Sequence, residues 1–297
     1  MLLAILPIIP LIGALLVLFK RGRFINIPLV TSAIVLVLGI FRLKSVFEGM
    51  QLDYRVPLSV PFVPTFHADS LSVIFVLMAA FIWFVVSIYA PHYMKHEGRT
   101  KVFEFCTLLT LSAVLGVFLA GDLFTLLLFF ELMTVSSFFW VIHRWNKKAI
   151  KAGYFYLFYS IVGGLFLALG IALMGAATDI MPYIGSGLVS PLNSKMFAWS
   201  IALFVVGFGI KAGMVPLHLW LPHAHSVAPT PASALLSGLL IKVGAYGLIR
   251  VGEFAGWGRN LQMGASWLGS GLAILGTCTM LVGVLAALIQ SDAKRLL

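Results

Sequence analysis

Three ionisable residues lie inside apolar stretches of this sequence, and their types define the chemistry to consider. Glu131 is near the middle of LFTLLLFFELMTVSSFFWVI, Lys211 deep in IALFVVGFGIKAGMVPLHLWLP, and Lys242 within ASALLSGLLIKVGAYGLI. A charge held at such depth costs from ~2.5 kcal/mol on insertion scales to above ~10 kcal/mol in simulations, so it faces a partner or internal water. Amines withdrawn from water tend to give up a proton, and a nearby carboxylate favours the ammonium form. A varying Glu131–Lys211 separation is therefore a means of taking up and releasing protons. Moving one charge against ~100 mV costs ~2.3 kcal/mol, a magnitude such a pair can supply. The same residues also fit a static pair that locks helices together, or a lysine that snorkels to an interface, which suits Lys242 better than Lys211.

Three histidines follow Lys211 in PLHLWLPHAH: His218, His223 and His225. Imidazole both donates and accepts protons near neutral pH, as a relay requires. His218 lies deepest and is the relay candidate, whereas His223 and His225 fit a relay or a place at the interface equally. Their H-x4-H-x-H spacing crosses a proline and lacks a carboxylate, so no metal is expected. Cys106 and Cys278 lie in apolar runs without CxxC or haem-attachment spacing, and no cofactor is expected. His67, His92, His96 and His143 read as ordinary residues of loops and helix ends.

The elements that must carry these groups are membrane spans. Of 297 residues, 61% are hydrophobic and 10% charged, and the mean hydropathy is +1.06, which together exclude a soluble domain. A span needs roughly 20 apolar residues, and nine runs qualify: Leu2 to Phe19, Ile25 to Phe41, Leu71 to Ala90, Phe105 to Ala120, Leu123 to Ile142, Ala152 to Ala177, Met196 to Leu221, Ala232 to Ile249 and Ser266 to Gln290. The predicted fold is an all-α, polytopic transmembrane helix bundle in a cell membrane. The seventh helix should break just after Lys211, because Pro216 and Pro222 cannot donate to the carbonyls of Ala212 and His218. Interrupted helices at membrane depth commonly line ion pathways.

A net charge of +10 does not point to nucleic acid, since the basic residues are distributed between spans. One side holds Lys20, Arg21, Arg23, Lys95, Arg99, Lys101, Arg144, Lys147, Lys148, Lys151, Lys294 and Arg295. The other holds Arg42, Lys44, Arg55, Lys195, Arg250 and Arg259. The richer side is expected in the cytoplasm, with the N-terminus outside and the C-terminus inside. Glycines such as Gly163, Gly164 and Gly207 read as close helix contacts.

The segments FELMTVSSFFWV, GFGIKAGMVPLHLWLPHAHSVAPTPASALLSGLLIKVGAYGLIR and LIQSDAKRLL resemble those of the antiporter-like proton-translocating membrane subunits. These include the large membrane subunits of complex I, membrane-bound hydrogenases, formate hydrogenlyases and Mrp-type sodium/proton antiporters. The resemblance implies that Glu131 pairs with Lys211 of a broken seventh helix, and that His218 and Lys242 continue a proton path. It also implies three units: an N-terminal three-helix segment over 1–102, an antiporter-like five-helix repeat over 103–252, and the start of a second repeat over 253–297. Family members have about fourteen helices, so either a partner subunit supplies the second half, beside other membrane subunits, or the chain is a truncated product. Where many members carry Pro-Asp-Ala-His, this chain has Pro222, His223, Ala224 and His225. The reading is a subunit that moves protons, or exchanges H⁺ for Na⁺, within a redox-driven pump or antiporter complex, with no catalytic centre of its own. The alternatives are a structural membrane anchor with static ion pairs and a quinone-reacting oxidoreductase subunit.

Overall fold

The computed structural model describes residues 2–20, 25–47, 52–57, 63–178, 181–184, 189–256 and 266–290. Arg21, Arg23, Arg259, Lys294 and Arg295 from the charge count fall outside them, as does most of the LIQSDAKRLL segment. The described helices are α1 (Leu2–Phe19), α2 (Ile27–Phe47), α3 (Ser70–Glu97), α4 (Thr100–Phe118), α5 (Leu123–Val141), α6 (Lys147–Ala177), α7 (Ser194–Ala212), α8 (Trp220–Val227), α9 (Thr230–Leu235), α10 (Ile241–Phe254) and α11 (Ser266–Ile289). A 3₁₀ turn (Leu217–Leu219) precedes α8, and a π-turn (Leu236–Leu240) joins α9 to α10 in one rod.

This is a polytopic, all-helical membrane protein. Among the described residues, seven helical stretches are long and apolar enough to cross a bilayer. Nine spans were expected; the difference lies in Leu3–Phe19 and Ile27–Phe41, which are shorter apolar helices.

Polar caps set where several helices begin. Asp69 accepts from the Ser72 N–H at the head of α3, Asp122 from Thr125 at α5, Asn146 from Ala149 at α6, and Asn193 from Lys195 and Met196 at α7. Each satisfies a backbone donor that the first helical turn leaves without a partner.

A two-stranded hairpin, β1 (Leu52–Arg55) and β2 (Thr65–Ala68), departs from the expected run of helices. It clasps the α4–α5 turn: the His67 N–H donates to the Leu119 carbonyl at 2.8 Å, and the Gly121 N–H to that of Thr65 at 2.8 Å. Thr65 Oγ1 also donates to Asp122, so the α5 cap and the hairpin share one carboxylate.

Two ionisable residues that the sequence placed in loops or at helix ends prove to be interior. Arg250 is fully buried, its guanidinium gripping Asp69 bidentately at 2.6 and 2.7 Å and reaching Glu253 at 3.1 Å. The reason is non-local: Asp69 heads α3, and packing brings α10 against it. His67 is likewise buried, with Nδ1 at 2.7 Å from Asp53.

Glycines set the helix spacing around α7. A Cβ on Gly163 of α6 would lie 3.3 Å from the Gly207 carbonyl oxygen of α7, and one on Gly207 would lie 2.9 Å from that of Gly163. On the other flank, a Cβ on Gly244 of α10 would overlap the Ala212 backbone nitrogen. Both neighbours thus touch the last turns of α7 backbone to backbone.

Candidate functional site

Lys211 occupies the last turn of α7, where helix carbonyls present negative partial charge to a cation. The helix stops because Gly213 adopts the left-handed conformation (φ 72°), its N–H donating back to Gly209 and Ile210. Carbonyls exposed by the break find partners. The Trp220 indole N–H donates to the Ile210 carbonyl at 2.8 Å, and the Met214 N–H to that of Gly209 at 2.9 Å. The Val215 N–H donates to Thr279 Oγ1 of α11 at 3.1 Å. Of the four carbonyls that the end of α7 leaves over, those of Gly209 and Ile210 are thus satisfied.

The Lys211 side chain is 1% exposed. Its Nζ donates to the Tyr156 hydroxyl at 2.8 Å and lies 4.8 Å from the Tyr156 ring, 5.6 Å from that of Phe130 and 5.8 Å from that of Trp220. Aromatic faces attract a cation through their quadrupole, most effectively where water is excluded. Tyr156 Oη also shares a hydrogen bond with Ser137 Oγ at 2.5 Å, and Ser137 Oγ contacts the Met133 carbonyl at 2.6 Å. A hydroxyl chain thus runs from the α7 lysine through α6 to α5, the helix that carries Glu131.

Glu131 does not approach Lys211 within ion-pair distance. Its Oε1 is buried and has no hydrogen-bond partner, and it rests in the notch of Gly164, where an added Cβ would overlap that oxygen. Thr134 Oγ1, one turn further along α5, is also buried and unpaired. Buried polar atoms are seldom left without partners. Here they carry lone pairs that the described residues do not use.

Histidines of the following segment divide. His218 lies in the 3₁₀ turn with Nδ1 buried and unpaired. His225 is fully buried with both ring nitrogens unpaired. His223 is exposed and stacks on Phe155 of α6, ring centroids 5.2 Å apart. Lys242 is exposed too: its Nζ leaves the bundle interior and donates to the Ser237 carbonyl at 2.6 Å. Lys211 and Tyr156 thus form one buried group, Glu131 is half-buried with its Oε1 inside, and Lys242 is not brought to them.

Sequence reading missed Tyr156, the direct partner of the lysine. It also missed the Asp69–Arg250–Glu253 cluster, joined by the Ser72 hydroxyl at 2.8 Å and by the Tyr246 ring 4.9 Å from the guanidinium carbon. Burial works against the Asp69 carboxylate, but the Arg250 guanidinium outweighs it and holds this carboxyl well below the usual carboxylate range. That cluster is committed to ionised partners on all sides, unlike the region of Lys211.

A family profile described as "NADH:quinone oxidoreductase/Mrp antiporter, TM" matches residues 120–297, and one described as "NADH-Ubiquinone oxidoreductase (complex I), chain 5 N-terminus" matches residues 58–103. The first span contains every residue of the Lys211 site. Hydrogenase-4 component B of Escherichia coli is 34% identical over 256 residues, covering 83% of this chain and 38% of that protein. A subunit of the Na(+)/H(+) antiporter of Alkalihalophilus pseudofirmus is 28% identical over 302 residues, covering 99% of this chain and 60% of its own length. The chain thus spans less than two thirds of either relative. The fold matches a chain of the membrane-bound sulfane sulfur reductase (MBS), an archaeal respiratory membrane complex, with TM-score 0.86 at 21% identity over 99% of this chain and 61% of that one. It also matches a chain of the Mrp complex from Dietzia sp., with TM-score 0.84 at 22% identity over 100% of this chain and 56% of that one.

Proposed function

We propose, from the premise that this chain belongs to the NADH:quinone oxidoreductase/Mrp antiporter membrane-subunit family, that it carries protons through the membrane by cyclic protonation of Lys211. The observation behind this reading is the asymmetry of the site. A buried ammonium is held by one hydroxyl and three aromatic faces, while an unpaired carboxylate oxygen of Glu131 waits on the next helix but one. A purely architectural ion pair would be closed, as the Arg250 cluster is.

Glu131 acts as the electrostatic switch: its approach favours the ammonium, and its withdrawal or protonation favours release. Tyr156 and Ser137 bridge the gap between the two helices. His218, with Nδ1 unpaired, and His225, with both ring nitrogens unpaired, continue the path beyond the α7 break, with His223 at its exposed end. Lys242 serves protons at the outer face of α10 rather than Lys211 directly. The partners of this subunit are other membrane subunits, since relatives of the same fold are chains of multisubunit membrane complexes. The bundle is oriented with Lys95, Arg99, Arg144 and Lys147 at the cytoplasmic face, by the positive-inside bias.

Substitution at Lys211 tests this directly. In vesicles carrying the complex, Lys211→Ala should abolish most proton movement. Lys211→Arg should fail as well, because a guanidinium keeps its proton. Pumping by the arginine variant at near the parent rate would refute the relay, and loss of the assembled complex in both variants would favour an architectural lysine.

A further inference from the structure

Where α3 ends and α4 begins, the bundle has a cavity of about 430 Å³ whose walls are strongly basic. Lys95, Arg99 and Lys101 line it together with Lys20 from the end of α1, and the carboxylate among the lining residues is that of Glu104. That carboxylate is occupied: Lys20 Nζ donates to it at 3.1 and 3.3 Å. Lys95, Arg99 and Lys101 are exposed. Arg99, the N-cap of α4, takes a left-handed conformation (φ 48°) and supplies no side-chain cap, so the α4 first-turn N–H groups, including those of the lining residues Thr100, Lys101 and Val102, face the same space uncapped. Uncapped donors at a positive helix end beside Lys95 and Lys101, with the Arg99 guanidinium 5.3 Å from the Trp145 ring, form a site for an anion carrying several oxygens.

A second feature specifies which anion. Lys20 also lines an apolar groove of about 710 Å³ between α1 and α2, walled by Ile9, Ile12 and Leu16 on one side and Val30 and Ile34 on the other. From Ile9 to Lys20 the helix rises roughly 16 Å, about half of a ~30 Å hydrocarbon core. The groove therefore has the depth of one leaflet and opens at its polar end beside the basic cavity. An anionic head with a long apolar tail fits both features at once, whereas free phosphate uses only the first.

We propose that this composite site binds an anionic phospholipid, its phosphate among Lys95, Arg99, Lys101 and the α4 N-terminus and one acyl chain along the α1–α2 groove. Basic pockets between transmembrane helices at the cytoplasmic side are suited to such headgroups. Lys20 spans the two parts, with its stem beside the groove and its charge beside the cavity.

The test is lipid retention by the intact complex during detergent washing, read by mass spectrometry after reconstitution with equal phosphatidylglycerol and phosphatidylcholine. Phosphatidylglycerol should be retained selectively, and the triple variant Lys95→Gln/Arg99→Gln/Lys101→Gln should lower its retention about tenfold or more. Ile12→Trp with Leu16→Trp, which fills the groove and leaves the cations in place, should lower it too. All three altered cations are exposed, so the fold is expected to persist, and the thermal transition checks this. Equal retention of both lipids, or selective retention unchanged in the triple variant, would overturn the site. Displacement of the lipid by millimolar inorganic phosphate, with no effect of the tryptophans, would make it a phosphate site and overturn the lipid assignment. Loss of a companion subunit instead of lipid would make the surface a protein contact and overturn it equally.

Discussion

Replacing Tyr156 by phenylalanine removes one oxygen atom and tests how Lys211 is held. The hydroxyl is the hydrogen-bond acceptor of the ammonium at 2.8 Å, and the ring stays 4.8 Å from Nζ. Tyr156→Phe therefore deletes a hydrogen bond to a charged group, worth about 1.5–3 kcal/mol, and keeps the cation–π contact of about 0.5–2 kcal/mol. Ser137 retains the Met133 carbonyl at 2.6 Å, so no second group is stranded. If the protonated lysine is an intermediate of transport, a loss of about 2 kcal/mol should slow proton flux by roughly 10- to 100-fold. The assay is proton uptake by inverted vesicles carrying the complex, normalised to assembled complex. Tyr156→Leu, which removes the ring as well, should slow flux further. Parent-rate flux in Tyr156→Phe together with a dead Tyr156→Leu would show that only the ring matters, and the hydroxyl chain to α5 would have no part in transport.

Gly164→Ala puts a methyl where the Glu131 carboxylate rests; because the obstacle is the end of a flexible side chain, the complex should assemble while transport slows as it does in Glu131→Gln. Parent-rate flux across pH 6 to 8 in both variants would leave Glu131 without a transport role. Arg250→Leu strands the Asp69 and Glu253 carboxylates and should destabilise the protein by about 3–5 kcal/mol, seen as a large drop in detergent melting temperature, and Arg250→Lys should not restore it because the two-pronged grip on Asp69 is lost. His143, buried beside the Gly98 carbonyl at 3.1 Å, is held below the ordinary imidazole value of 6.5 by burial. The unfolded chain binds that proton more readily, so stability should fall as pH drops below about 6.5 and His143→Gln should flatten the dependence; an unchanged melting profile between pH 7 and 5 in the parent would contradict this.

Much of the fold was legible because membrane helices declare themselves by composition. The first run, Leu2 to Phe19, coincides with α1, and the ninth ends within a residue of α11. The break after Lys211 was legible because Pro216 has no N–H to donate to the Ala212 carbonyl, although the helix already ends at Gly213. Tyr156 was not, because α6 is apolar all around and the phase of its inward face has no polar signature. In YFYLFY, Tyr154 is 66% exposed and Tyr156 fully buried, a distinction created only by α5 and α7 packing on one side. Lys242 misled for the same reason: depth along a helix is written in the sequence, but the direction of a side chain around it is not. Arg250 reads as a loop charge until Asp69, distant in sequence, is brought beside it.

The glycine contact between α6 and α7 constrains how fast the site can work. With Gly163 and Gly207 meeting backbone to backbone, neither helix can slide or roll past the other without lifting off its neighbour, a change that would disturb the whole contact at once. Tyr156 of α6 and Lys211 of α7 are thereby held in a fixed frame, and under the proposed mechanism change at Lys211 is left to rotation about side-chain bonds. Such rotations involve a handful of atoms and are intrinsically far faster than collective helix shifts, which fall in microseconds to milliseconds. If Lys211 carries protons as proposed, turnover of a rigid-walled site of this kind would be governed by how long a proton waits for its next acceptor rather than by rearrangement of the bundle. Under that proposal, the timing of a driving reaction would reach Lys211 as a change in electric field, carried through an α6–α7 frame that itself stays still.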